Sequence, residues 1–244
     1  MSDVSPIAES VEDNFFDFEC PYCGEPVSFP PSSIGEAGEC TSCGETFIVP
    51  PAGSEKGVQL PLPRVTARLT LRRFQLSDID DITEFMSEAE LPEYAGTDPM
   101  DEQQVSEWIA SDARVRLTTP DQHFYLAIER NDERRIIGFV RLGVEQVSRK
   151  VAVISLLVAR QHQRQGFGTE ALRAALDFCF AIRLHRVAAS FDRRNEAAAR
   201  TCEKAGMKFE AQFREDRADG FGWADTVWFG MIERDRGGSA NAIA

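Results

Sequence analysis

Two short units of the same build, Cys20-Pro-Tyr-Cys23-Gly24 and Cys40-Thr-Ser-Cys43-Gly44, stand sixteen residues apart near the start of this 244-residue chain. Each Cys-x-x-Cys-Gly unit needs a tight turn that brings backbone N–H groups toward the sulfurs, and the glycine relieves the steric cost of that turn. Four thiolates in two pairs suit a tetrahedral Zn2+, and a closed four-cysteine site is structural rather than catalytic. About forty residues bury too little apolar surface to fold unaided, so a metal is expected to supply the folding energy. Residues 15–51 are accordingly expected to form a zinc ribbon with Cys20, Cys23, Cys40 and Cys43 as its ligands. Two alternatives stay open: a redox dithiol, which normally sits alone beside a βαβ pattern, and iron, which the ligand types do not exclude.

The redox compartment bears on this choice. No apolar run approaches the ~20 residues of a membrane span, and no basic segment followed by an apolar stretch marks a secretory signal. The expectation is a cytoplasmic protein without membrane association, where paired cysteines bind metal more readily than they form disulfides.

Charge divides the chain. Residues 1–57 carry eleven acids against Lys56 alone, a net of −10 out of −13 for the whole protein. A ribbon so acidic is unsuited to a phosphate backbone, so nucleic acid is not expected and a protein partner is. Residues 160–200 have the opposite bias, eight arginines against four acids, which would attract a polyanionic ligand.

Residues 1–14 are polar and aperiodic and read as a disordered acidic tail. Residues 52–63, rich in Pro and Gly, read as a linker. A second domain, 64–235, opens with apolar Val65, Ala67, Leu69 and Leu71 alternating with Thr66, Arg68, Thr70 and Arg72, the pattern of a half-buried strand. Ser77 is the expected cap of a short helix, and Asp101 precedes a second one. Strands are expected over 123–130, 134–145 and 150–159, a helix from Gly168, a strand over 186–191, and a helix from about Asn195 to a Gly206 cap. Two strands, 207–216 and 222–233, close the domain around an Asp219-Gly220 turn, and residues 236–244 read as a disordered tail. This order describes an α/β domain with a largely antiparallel sheet.

Between strand and helix lies Gln163-Arg164-Gln165-Gly166-Phe167-Gly168-Thr169. A pyrophosphate needs several converging backbone N–H donors with a helix dipole behind them. Gly166 and Gly168 let the backbone approach, and Arg164 adds charge at the rim. A plain strand-to-helix turn is the bland alternative. The Gly-x-x-x-x-Gly-Lys-Ser/Thr loop of nucleotide kinases is absent.

With these residues in view, the sequence resembles the GNAT superfamily of N-acetyltransferases, and within it the ribosomal-protein N-terminal acetyltransferase branch, over residues 64–235. The likeness rests on Arg68-Leu-Thr-Leu-Arg-Arg-Phe74, Gly166-Phe-Gly-Thr-Glu-Ala171, Asn195-Glu-Ala-Ala-Ala-Arg-Thr-Cys-Glu-Lys-Ala-Gly-Met207, and Asp219-Gly220 with Asp225-Thr-Val-Trp-Phe-Gly230. It implies a GNAT fold, a mixed, largely antiparallel twisted sheet flanked by helices, and acetyl-CoA as co-substrate. It also implies that the backbone of Leu156, Leu157 and Val158 holds the pantetheine arm, one main-chain N–H there polarising the thioester carbonyl. Gln163, Arg164, Gln165, Gly166, Phe167, Gly168 and Thr169 would hold the pyrophosphate, and Asn195 the pantetheine side.

The sequence departs from the family at two positions. Where many members place a Tyr near the CoA thiol, this chain has Cys202, which is either an acid for the leaving thiolate or a small core residue. Where a strand Glu often serves as base, it has Val153. Glu145, Glu93, Glu88, His123 and His162 are the remaining candidates, Cys202 and Glu145 foremost. The expected reaction is direct attack of a primary amine on the thioester, most readily a protein α-amine, whose pKa of ~7.7–8.0 leaves part of it neutral. A small amine, such as an aminoglycoside or polyamine, and a non-catalytic acyl-CoA sensor are the alternatives.

Overall fold

The computed structural model describes residues 15–87, 97–113, 115, 123–146, 150–219 and 222–236, with the backbone alone for 144–146 and 219. The expected tails at 1–14 and 237–244, the tip of the Asp219-Gly220 turn, and Glu88 and Glu93 lie outside these residues. The chain divides into two compact units, Met1–Gln59 and Leu60–Ala244.

In the first unit, β1 (Phe16–Glu19) and β2 (Pro26–Phe29) form an antiparallel hairpin, as do β3 (Ala37–Glu39) and β4 (Thr46–Ile48). One cysteine pair occupies each hairpin turn. The turns repeat one another: Gly24 N–H donates to the Cys20 carbonyl at 3.0 Å and Gly44 N–H to the Cys40 carbonyl at 2.8 Å. Both glycines sit at positive φ, 77° and 72°, a region that disfavours a Cβ. Phe18 and Phe47 meet edge-to-face at 5.5 Å, and Phe29 adds a second edge contact with Phe47 at 5.6 Å. Val58–Gln59, placed in the linker by composition, instead forms β5 and pairs antiparallel with β4.

The second unit is built on an eight-stranded sheet in the order β12-β13-β11-β10-β9-β8-β7-β6. Its strands are β6 (Arg64–Val65), β7 (Leu69–Arg72), β8 (His123–Arg130), β9 (Arg135–Gln146), β10 (Val151–Val158), β11 (Arg186–Asp192), β12 (Lys208–Asp219) and β13 (Gly222–Ile232). Every pairing is antiparallel except β10 with β11. The expected single strand over 65–72 is two strands: Thr66 Oγ1 accepts from Leu69 N–H at 2.9 Å and turns the chain between them.

Helices α1 (Ile79–Met86) and α2 (Glu102–Asp112) cover one sheet face, where Ile82, Phe85, Met86, Val105 and Ile109 pack on Ala127, Phe139 and Leu157. Asp101 caps α2, its Oδ1 accepting from Gln104 N–H at 2.8 Å. Ser77 is not the cap expected for α1: it lies inside a 3-10 turn, Leu76–Asp78, and Asp78 reaches back to Gln75 N–H at 2.8 Å. Helix α3 (Phe167–Ala181) covers the other face, with Phe178 stacked on Phe124 at 6.2 Å. Helix α4 (Glu196–Ala205) ends at Gly206, whose φ of 95° makes it the left-handed cap. Arg236, assigned to the tail, closes a 3-10 turn and donates to Asp177 at 2.7 Å.

Candidate functional site

β10 and β11 pair only from Val151 with Arg186 to Val153 with Ala188. Beyond that point they part, while β9 follows β10 to Val158 and β13 follows β11 to Asp192. The Leu157 backbone faces β9, its register partner being Phe139, so opening the sheet this way leaves the backbone N–H groups of Leu156 and Val158 facing a cleft instead of a strand. Leu157 points into the α1/α2 core, so Leu156 and Val158 point the other way. A Cβ built on Gly168 would lie 3.7 Å from Leu156 Cδ1, 3.8 Å from Val158 Cγ2 and 3.8 Å from Thr201 Cγ2. The start of α3, the end of β10 and α4 therefore converge at one point. Gly138 permits the backbone approach behind it, since a Cβ there would fall 2.1 Å from the Leu157 carbonyl oxygen.

The loop from β10 to α3 is ordered by its own side chains. Gln163 Nε2 donates to the Val158 carbonyl at 2.9 Å, and Gln165 Nε2 to the Gln161 carbonyl at 3.0 Å. Arg164 and Gly166 both take positive φ, 61° and 85°. Gly166 is the N-cap of α3, and Glu170 N–H makes the first helical bond to its carbonyl at 3.1 Å. The N–H groups of Phe167, Gly168 and Thr169 have no carbonyl a turn earlier, which leaves α3 presenting donors and the positive end of its dipole. α3 thus starts at Phe167, one residue before the position read from periodicity.

A clamp absent from the sequence reading fixes this loop from outside. Arg68 donates through Nε to Glu170 Oε2 at 2.7 Å and through Nη1 to the Gln165 carbonyl at 3.0 Å. Its backbone N–H and the Thr66 hydroxyl both reach Glu170 Oε1, at 3.0 and 2.6 Å. The Arg68 guanidinium also lies 4.5 Å from the centre of the buried Phe167 ring, with Arg130 at 5.4 Å. Burial opposes ionisation of Glu170, but the hydrogen bonds from Thr66 and Arg68 outweigh it and hold its carboxyl below the usual range. Beside the clamp a cavity of about 770 Å3 is lined by Arg64, Arg68, Gly166, Thr169, Arg173 and Lys204 among others.

Across the cleft, Asn195 caps α4: its Oδ1 accepts from Ala198 N–H at 3.0 Å, so only its amide NH2 is left to face a ligand. Asp192, just before it, is buried and held at about 2, first by hydrogen bonds from Arg194 and then by Arg217 at 2.6 Å. Cys202 lies on α4 but is 4% exposed, and burial pushes its thiol up to about 12. His162 is half-buried, its ring 6.3 Å from Phe167, and burial followed by the Arg130 charge lowers its pKa. His123 is exposed at the start of β8, its pKa lowered by burial and then by Arg141. Glu145 is in β9, where only its backbone is described.

The four ribbon sulfurs are gathered within 4.8 Å of one another. Cys20 Sγ lies 3.8 Å from Cys43 Sγ, and Cys23 Sγ 3.7 Å from Cys40 Sγ. A tetrahedron with Zn–S bonds of about 2.3 Å has edges of about 3.8 Å, so the sulfurs fit such an ion. Tyr22 N–H points at Cys20 Sγ from 3.5 Å, the orientation that supports a thiolate.

A sheet split around a parallel pair, with a glycine-capped helix N-terminus at the split, is the arrangement of a GNAT acetyltransferase. The model of the GNAT acetyltransferase domain matches residues 68–208, more than half of the chain, and the chain belongs to that family. It is an acetyltransferase with the GNAT fold. Among curated proteins it is similar to the uncharacterized N-acetyltransferase p20 of Bacillus licheniformis, 25% identical over 176 residues that cover 71% of this chain and 97% of the relative. Among solved structures it is similar to spermidine N-acetyltransferase from Vibrio cholerae in complex with CoA and spermine, at TM-score 0.60 and 19% identity over 70% of this chain and 98% of that one. It is also similar to ribosomal-protein-S5-alanine acetyltransferase from Vibrio fischeri, at TM-score 0.58 and 19% identity over 69% of this chain and 94% of that one. Among the described residues no helix is long and apolar enough to cross a membrane.

Proposed function

We propose that this protein transfers the acetyl group of acetyl-CoA to the α-amine of a protein N-terminus in the cytoplasm. The observation that carries the cofactor site is the parting of β10 and β11 with the N-terminus of α3 at its mouth. In this reading the backbone of Leu156, Leu157 and Val158 holds the pantetheine arm, and Asn195 donates its free amide NH2 from the other side. Gln163, Arg164, Gln165, Gly166, Phe167, Gly168 and Thr169 surround the pyrophosphate, whose charge meets the helix dipole. The cavity beyond, with Arg64, Arg173 and Lys204 in its wall, takes the phosphorylated ribose.

The thioester supplies the activated acyl group. The chain orients it, keeps a main-chain N–H aimed at its carbonyl oxygen, and brings the amine alongside. Cys202 holds its proton too tightly to serve as an efficient acid for a thiolate. With no strong base in place among the described residues, an α-amine of pKa ~7.7–8.0 is an easier nucleophile than a lysine at ~10.4. Four thiolates on the ribbon bind one structural zinc ion, and its acidic surface receives a protein partner.

A polyamine acceptor is the second reading, favoured by the likeness to a spermidine acetyltransferase. CoA release should be followed with purified protein, acetyl-CoA, peptides bearing free α-amines, and spermidine. Peptide turnover supports the proposal; turnover of spermidine alone replaces it with the second reading.

A further inference from the structure

On the sheet face away from α3, three polar residues stand in one row across three strands: Tyr125 on β8, Arg141 on β9 and Ser155 on β10. They alternate with Phe124, Leu142 and Ile154, all buried. The row is hydrogen-bonded. Arg141 Nε donates to Ser155 Oγ at 3.1 Å, and the guanidinium also donates to the Tyr125 phenol. Tyr125 is in turn packed edge-on against Trp108 at 4.9 Å. Both partners of Arg141 are neutral. Among the described residues no carboxylate pairs with it, and the buried acid Asp112, whose charge reaches Tyr125, is joined to Arg73 at 3.2 Å.

The position of the row matters. Ser155 lies two residues past Val153, the last residue of β10 paired with β11, so the row ends at the lip of the cleft. The cofactor site of the proposed function enters that cleft from the α3 side. In that reading the attacking amine is brought in from the opposite side, the side Arg141 occupies. His123 closes the same face: a Cβ on Gly143 would meet its Nδ1 at 3.1 Å.

We infer that Arg141 recognises the acceptor, the guanidinium N–H groups not spent on Ser155 and Tyr125 donating to a carbonyl or carboxylate oxygen close to the amine that is acetylated. A guanidinium offers two parallel donors at fixed spacing, matched to such oxygens. A fixed cation with no carboxylate partner among the described residues also repels a polycation in a partly dehydrated site. Arg141 therefore selects amines that carry acyl or carboxylate oxygens, as a peptide N-terminus does, and rejects polyamines. This inference rests on the proposed function and names its selecting residue.

Wild type, Arg141→Met and Arg141→Lys should be compared by steady-state kinetics on short peptides with free α-amines and on spermidine, with acetyl-CoA affinity measured separately. Loss of one charge-assisted contact predicts a peptide KM raised on the order of tenfold or more in Arg141→Met. Arg141→Lys should fall between, spermidine turnover should hold or rise, and acetyl-CoA affinity should stay unchanged. An unaltered peptide KM in Arg141→Met, or equal losses on peptide and spermidine, overturns the inference while leaving peptide acetylation intact. A wild-type enzyme that acetylates spermidine but no peptide overturns both.

Discussion

Arg68 and Glu170, 102 residues apart in sequence, are joined twice: the Arg68 guanidinium holds one carboxylate oxygen at 2.7 Å and its backbone N–H the other at 3.0 Å. The pair ties the corner between β6 and β7 to the first turn of α3, where the proposed pyrophosphate loop ends. Glu170→Gln should weaken acetyl-CoA binding several-fold by titration calorimetry. Because Arg68 is about half exposed, the accompanying loss of stability should be only about 1 kcal/mol.

Gly166 adopts a φ of 85°, in the left-handed region. Gly166→Glu adds backbone strain and a negative charge beside the helix N-terminus, and acetyl-CoA affinity should fall at least about tenfold. Unchanged affinity in a folded variant would refute the cradle.

Gly138 leaves no room for a side chain, since a Cβ would sit 2.1 Å from the Leu157 oxygen. Gly138→Ala must push β9 from β10 at the proposed pantetheine-binding segment. Denaturant unfolding should report a loss of about 2 kcal/mol, within the range for overpacking.

Asp192 is held at about 2, chiefly by Arg194. Its folded pKa is below the unfolded value of ~3.9, so its stabilisation is complete above that value and disappears as pH falls toward the folded pKa. Since Arg194 and Arg217 are nearly half exposed, screening limits the contribution to about 1–2 kcal/mol. Asp192→Asn should lose that stability at pH 7 and show a flatter melting-temperature profile between about pH 5 and 2.

Metal analysis should find one zinc per chain, lost when Cys20 and Cys23 are both replaced by serine. An iron-coloured protein would refute zinc. Cys202→Ala, by contrast, should keep kcat within about twofold, because a thiol at about 12 contributes little as an acid.

Local features were legible in the sequence. The glycine loop, the Asn195 and Gly206 caps, and the cysteine knuckles each depend on residues a few positions apart, where backbone sterics and capping act. Periodicity was less dependable at corners: Val65 to Arg72 alternates like one strand, yet a Thr66 hydroxyl bond turns the chain inside it. Arg68 accordingly read as an outward strand residue, and nothing near it in sequence pointed to Glu170.

The sequence by itself determined the α/β class, the four-cysteine knuckles and the loop that opens α3, because these follow from steric and hydrogen-bonding rules within a single turn. Only the tertiary structure decided that Cys202 is sealed in, that Glu170 is clamped by Arg68, and that Arg141 stands at the lip of the cleft. Burial and electrostatic fields arise from neighbours brought together by the sheet, and a residue's place in the chain does not encode them.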